Sequence, residues 1–213
     1  MTYQSFINSF SKVNDFSLPG KKAQLLAAPL SRVKQMPTQS EYMKIAEPAA
    51  VLLYCYPKEG QMHLTLIKRT EYEGVHSGQI SFPGGKNEKS DRSLQHTAVR
   101  ECNEELGIQI DENKNLIPLT PLYIPPSNYL VSPFVAHESF RPDFCPDVRE
   151  VATQIELPLL KLLELTIEQR NIHNTDSKGA LVPCFTYQGH FIWGATAMIL
   201  SEFKTFLAIL RTI

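Results

Sequence analysis

The chain changes character at Pro48, where a mixed preface gives way to short apolar runs separated by polar breaks. "AAVLLYCY" (49–56) is continuously apolar and "HLTLIKRT" (63–70) alternates. The "PKEGQ" between them suits the turn of a hairpin. "LIPLTPLYI" (116–124) and "YLVSPFVAH" (129–137) predict two strands joined across the "PPSN" turn. "EVATQIELPL" (150–159) predicts a further strand, with a helix starting in "LLKLLEL". "LVPCFTY" and "HFIWG" predict a late hairpin, and "ATAMILSEFKTFLAIL" (195–210) a closing amphipathic helix. Interleaved strands and helices with antiparallel hairpins indicate an α+β or mixed-sheet architecture rather than a doubly wound one.

Two segments interrupt this rhythm. Residues 1–46 read as a largely helical extension in which "KKAQLLAAPLSRVKQM" carries spaced apolar residues, and residues 47–213 as the main domain. "EYEGVHSGQISFPGGKNEKSD" (71–91) is longer than a connection needs to be, and loops of that length carry function or hidden structure. Ser90 or Asp91 would cap the helix that follows, which runs to about Leu106 and stops at Gly107.

The 213 residues suffice for one substantial core, and 43% are hydrophobic. With 21 basic and 22 acidic residues the net charge is −1, which gives no electrostatic reason to expect nucleic acid or a membrane surface as partner. The four cysteines are dispersed without a CxxC pair, as expected of reduced, buried thiols. No run approaches the ~20 apolar residues of a membrane span, and no secretory signal is recognisable, so a cytoplasmic protein is expected.

The helix from about residue 91 holds the unusual chemistry. Helical spacing puts Leu94, Ala98, Val99, Cys102 and Leu106 on one arc facing the sheet. Glu101 and Glu104 lie beside that arc and Glu105 at its edge, which implies partial desolvation. Like charges three and four residues apart repel, and a half-buried carboxylate is costly unless compensated. Solvent and salt would serve, as would a divalent cation, for which magnesium prefers carboxylate and phosphate oxygens. The upstream "SFPGG" allows the backbone to approach a metal or phosphate closely.

"GGKNEKSDRSLQHTAVRECNEELGI" resembles the Nudix box, G-x5-E-x7-R-E-U-x-E-E-x-G-U, where U is bulky and aliphatic. Arg100, Glu101, Glu104, Glu105, Gly107 and Ile108 match by position. Asp91 stands for the early glutamate, eight rather than seven residues precede Arg100, and Cys102 replaces an aliphatic residue. "LTLIKRTEYEGVHSGQISFPGG" is similar to the segment preceding the box in the coenzyme A pyrophosphatase branch. Arg69, His76, Gly78, Phe82, Pro83, Gly84 and Gly85 fit it, while Thr70 replaces a serine and Gly74 an arginine.

The resemblance implies an α/β/α sandwich with a mixed sheet, and Mg2+- or Mn2+-dependent cleavage of coenzyme A or its derivatives to 3′,5′-ADP and a 4′-phosphopantetheine product. It implies Glu101 and Glu105 as the principal metal ligands, joined by Glu104 and the Gly85 carbonyl. Arg100 would orient a glutamate, and Glu150 would serve as base or further ligand, with Glu104 the alternative base. Arg69, Phe82, Gly84 and Lys86 would face the substrate. The expected partner is a small molecule, with a homodimer left open. Another nucleoside diphosphate derivative, such as ADP-ribose or a dinucleotide, is the enzymatic alternative; a ligand-binding module without catalysis is the other.

Overall fold

The computed structural model describes residues 1–10, 17–30, 38–71, 73, 76–111, 113–114, 116–174 and 177–211. Gly74 and residues 31–36 of the helical preface lie outside them. The N-terminal segment contributes α1 (Tyr3–Phe10), α2 (Gly20–Leu25) and α3 (Gln39–Tyr42). The expected hairpin follows: β1 (Glu47–Lys58) and β2 (Gln61–Arg69) pair antiparallel, with Cys55 opposite Leu64. Glu59 and Gly60 turn the chain at φ 51° and 75°, the left-handed backbone that matches a two-residue turn to strand twist.

The loop after β2 carries hidden structure. β3 (Ile80–Ser81) pairs with β2, and β4 (Gly84–Lys86) pairs with the start of β1. The glutamate-bearing helix is α4 (Leu94–Leu106), capped by Ser93 rather than Ser90 or Asp91. The Ser93 side chain accepts the His96 amide, while the Asp91 carboxylate is turned toward Thr97 and Arg100 and so is committed elsewhere. Gly107 closes the helix at φ 61°.

"LIPLTPLYI" forms two short strands, β5 (Ile117–Pro118) and β6 (Leu122–Ile124), rather than one. The break has a cause: the Thr120 amide and hydroxyl both go to the buried Glu202 carboxylate, and Pro121 has no amide to give. β6 returns into β7 (Tyr129–His137) across the predicted turn. β8 (Val151–Pro158), α5 (Leu159–Glu164), β9 (Glu168–Asn174), β10 (Ser177–Tyr187), β11 (His190–Trp193) and α6 (Gly194–Leu210) complete the described chain. The polar sequence of β9 gave no strand signal; its pairing with β10 does the work of ordering it.

The larger sheet runs β3-β2-β1-β7-β5, with β4 on β1, β6 on β7 and β8 on β2. β1 and β7 are parallel and the other pairs antiparallel, which makes the sheet mixed. The apolar run in β1 feeds two cores. Ala49, Leu53 and Cys55 join α1 and α6 on one face, while Ala50, Leu52, Tyr54 and Tyr56 join α4 on the other. A strand covered on both faces reads as continuously apolar for this reason. Among the described residues, no helix is long and apolar enough to cross a membrane.

Candidate active site

Ala98, Val99, Cys102 and Leu106 anchor α4 on the sheet, which turns its acidic side toward β4 and the end of β2. The Asp91 side chain, just upstream, is shielded from solvent and holds the helix by its charge. Arg100 Nε donates to Asp91 Oδ1 at 2.9 Å and Nη2 to Oδ2 at 3.0 Å. The Thr97 hydroxyl and the Glu88 amide also donate to this carboxylate. The Arg100 guanidinium therefore keeps Asp91 well below the usual carboxylate range. The same guanidinium reaches the Lys86 carbonyl, Glu101 and Glu104 at 3.0–3.2 Å, so it ties the loop, β4 and the helix together.

The three glutamates differ sharply in environment. Glu105 is 1% exposed, with Arg69 Nη1 donating to Oε1 at 3.0 Å and the Gly84 amide to Oε2 at 2.9 Å. Burial pushes its pKa up to about 7 despite the Arg69 charge and the Gly84 hydrogen bond, and Glu101 and Glu150 push the same way. Glu101 is raised too, mainly by burial, against the opposing Arg100 charge. Glu104 is turned outward to Arg100, with 59% of its side chain exposed. Among the described residues, no three Asp, Glu, His or Cys side chains gather into a metal-binding cluster.

The two glycines let the backbone meet these carboxylates. Gly84 has φ 152°, and a Cβ there would stand 2.4 Å from the Ala50 carbonyl oxygen. A Cβ on Gly85 would stand 2.5 Å from the Glu101 carboxylate. Only glycine fits at Gly84, where the clash is with backbone, whereas at Gly85 a side chain would displace the Glu101 carboxylate.

Phe82 requires a correction. Expected at the substrate, it is 2% exposed, its apolar ring packed in the core shared with α6. Lys86 is half open to solvent and paired with Glu47, and the Arg69 guanidinium is engaged by Glu105. Glu150 lies on the exposed turn before β8, and its charge reaches both Glu101 and Glu105. In the sequence Asp91 stands as a cap candidate and a substituted box position, not as a partner of Arg100; the carboxylate nine residues before Arg100 was the available signal for their pairing.

A NUDIX domain family matches residues 46–171. The chain is 32% identical over 170 residues to the uncharacterized Nudix hydrolase NudL of Pectobacterium atrosepticum, covering 79% of this chain and 86% of the relative. It is 34% identical over 164 residues to the uncharacterized Nudix hydrolase NudL of Yersinia pestis, covering 76% and 81%. Two solved structures share the fold. A MutT/nudix family protein from Enterococcus faecalis has TM-score 0.53 at 13% identity, covering 85% of this chain and 75% of that one. A C. elegans Ap4A hydrolase in a binary complex has TM-score 0.51 at 16% identity, covering 78% and 99%. With the family model spanning more than half its length, the chain belongs to the Nudix family and is a pyrophosphohydrolase of nucleoside diphosphate derivatives.

Proposed function

We propose that the protein hydrolyses the pyrophosphate of coenzyme A or a coenzyme A derivative, with Mg2+ or Mn2+ as cofactor. The observation that carries the reading is the segment Arg69–Gly85, whose match to the coenzyme A branch ends where Gly84 and Gly85 meet the helix carboxylates. The likeness to NudL proteins over 76–79% of this chain accords with a Nudix hydrolase activity.

The residues present fit a hard divalent cation. The Glu101 carboxylate lies in the space that a Cβ on Gly85 would fill, and Glu105 sits one helical turn away, so oxygen donors converge at one end of β4. Glu101, Glu105 and the Gly85 carbonyl would hold the ion, with Glu104 completing the set directly or through water. A bound divalent ion supplies charge for the diphosphate oxygens and acidifies water.

The chain's own groups do the rest. Glu150, open to solvent and close enough to raise both buried carboxylates, takes the proton of the attacking water as that water adds to one phosphorus and the bridging P–O bond breaks, the second phosphate leaving with the bridging oxygen. Glu104 is less suited to that role because Arg100 already engages it. Arg100 orients the glutamates and Arg69 keeps Glu105 aligned with the Gly84 amide. Lys86, at the exposed rim, meets a substrate phosphate by exchanging its Glu47 partner.

Purified protein with Mn2+ and coenzyme A, ADP-ribose or NADH, with product identification, tests the reading. Coenzyme A should turn over fastest and yield 3′,5′-ADP. Faster turnover of either rival would assign the substrate to another nucleoside diphosphate derivative.

A further inference from the structure

β2 ends in adjacent residues that grip different parts of the site. Arg69 reaches Glu105 with its side chain. Thr70 reaches the turn that carries Glu150: its amide donates to the Glu150 carbonyl at 3.0 Å, and its hydroxyl to the Arg149 carbonyl at 2.8 Å. Just before this pair the β2–β8 ladder slips, with Lys68 opposite Thr153 but Arg69 opposite Val151. Bulges of this kind re-aim the residues that follow them.

The other end of the turn is also fixed. The Asp147 amide donates to the Glu105 carbonyl at 3.0 Å, and the Asp147 carbonyl accepts the Glu150 and Val151 amides. The Arg149 side chain is 85% exposed and curls back onto Asp147, so it is the backbone that Thr70 holds. Bonds from one residue to two consecutive carbonyls restrain the peptide between them. Without the hydroxyl bond the Arg149 carbonyl loses its Thr70 anchor, and the Arg149–Glu150 peptide is held from its other side alone, by the Glu150 amide on Asp147.

We propose that Thr70 is a positioning residue: its hydroxyl, bonded to the Arg149 carbonyl, sets the direction in which the Glu150 carboxylate faces Glu101 and Glu105. The inference rests on the reading of Glu150 as the base. A reacting group displaced by about 1 Å loses up to ~100-fold in rate, so a single hydroxyl can matter to turnover without holding the fold.

A double-mutant cycle tests it, with Mn2+ and the fastest substrate of the panel above. T70V should lower kcat about tenfold and leave KM within about twofold, as expected when positioning rather than substrate binding is lost. T70S, which keeps the hydroxyl, should restore kcat to within about twofold of wild type. In the E150Q background, T70V should cause no further loss, because the group it positions is already disabled. If E150Q is impaired while T70V is silent, or while its loss persists in full beside E150Q, Thr70 does not act through Glu150. A T70S variant as slow as T70V overturns the role of the hydroxyl. Full activity of E150Q removes both the base assignment and this inference. Thermal melts accompany each variant, and T70A replaces T70V if the latter unfolds at assay temperature.

Discussion

Arg69, the last residue of β2, donates through Nη1 to Oε1 of Glu105 on α4 at 3.0 Å, which bonds the central hairpin to the most buried glutamate of the acidic helix. Even with this partner, burial keeps the Glu105 pKa at about 7, above its ordinary 4.5. The folded, metal-free protein therefore holds a proton that the unfolded chain releases, and stability falls as pH rises from about 4.5 to 7. E105Q should melt higher than wild type in EDTA at pH 8, by about 1–2 kcal/mol of stability, and no differently at pH 4. The same variant should lose ~100-fold or more of its metal-dependent turnover. Full activity would remove Glu105 from the metal site.

Gly84 and Gly85 should fail in different ways when changed to alanine. At Gly84 the new methyl would strike the β1 backbone, and a non-glycine residue at φ 152° is strained, so G84A should cost about 2–4 kcal/mol in denaturant melts. At Gly85 the methyl would strike only the Glu101 carboxylate, which can swing away. G85A should therefore keep its melting temperature within a few degrees, while its half-saturating Mn2+ concentration rises at least about tenfold. Equal melting losses in both variants would contradict this division.

Asp91 and Arg100 form a largely enclosed pair nine residues apart. D91A leaves Arg100 without its bidentate partner and should destabilise the protein by about 2–3 kcal/mol in urea titrations. R100A in the same background should add less than its own separate effect, since the two share one interaction. Strict additivity would show that Arg100 is held by the glutamates instead.

Glu156 offers a pH dependence remote from the carboxylate helix. Burial raises its pKa, but hydrogen bonds from Arg141, Lys58 and the Tyr56 hydroxyl outweigh that and lower it from 4.5 to about 2. A depressed carboxylate stabilises the fold above about pH 4.5 and loses that contribution as pH falls toward 2. Lys58 and Arg141 are each about a third exposed, so solvent screening leaves ~1–2 kcal/mol. E156Q should be less stable than wild type by that amount at pH 7, with the gap closing as pH approaches 2. A constant gap across the titration would show that packing, not charge, is lost.

Much of the fold was legible because its signals are local. A continuously apolar stretch meant a strand covered on both faces, and "PKEGQ" meant a hairpin. The arc of Ala98, Val99, Cys102 and Leu106 did prove to be the side of α4 that meets the sheet. β9 was illegible because "EQRNIHN" has neither apolar run nor alternation, and it is ordered by pairing with β10. The cap moved to Ser93 because a carboxylate that could have capped the helix found stronger partners in Arg100 and Thr97.

By itself the sequence determined that three glutamates crowd one side of a helix, that a glycine pair precedes them, and where the main strands lie. Those properties follow from spacing along the chain and from the geometry of one element. Only the tertiary structure decided that Glu105 is the enclosed carboxylate and Glu104 the open one, and that Phe82 belongs to the core. It alone brought the turn before β8 to Thr70. Burial and ion pairing depend on groups distant in sequence, Arg69 and Glu105 being 36 residues apart and Thr70 and Arg149 79 apart, and no local pattern encodes which of them will meet.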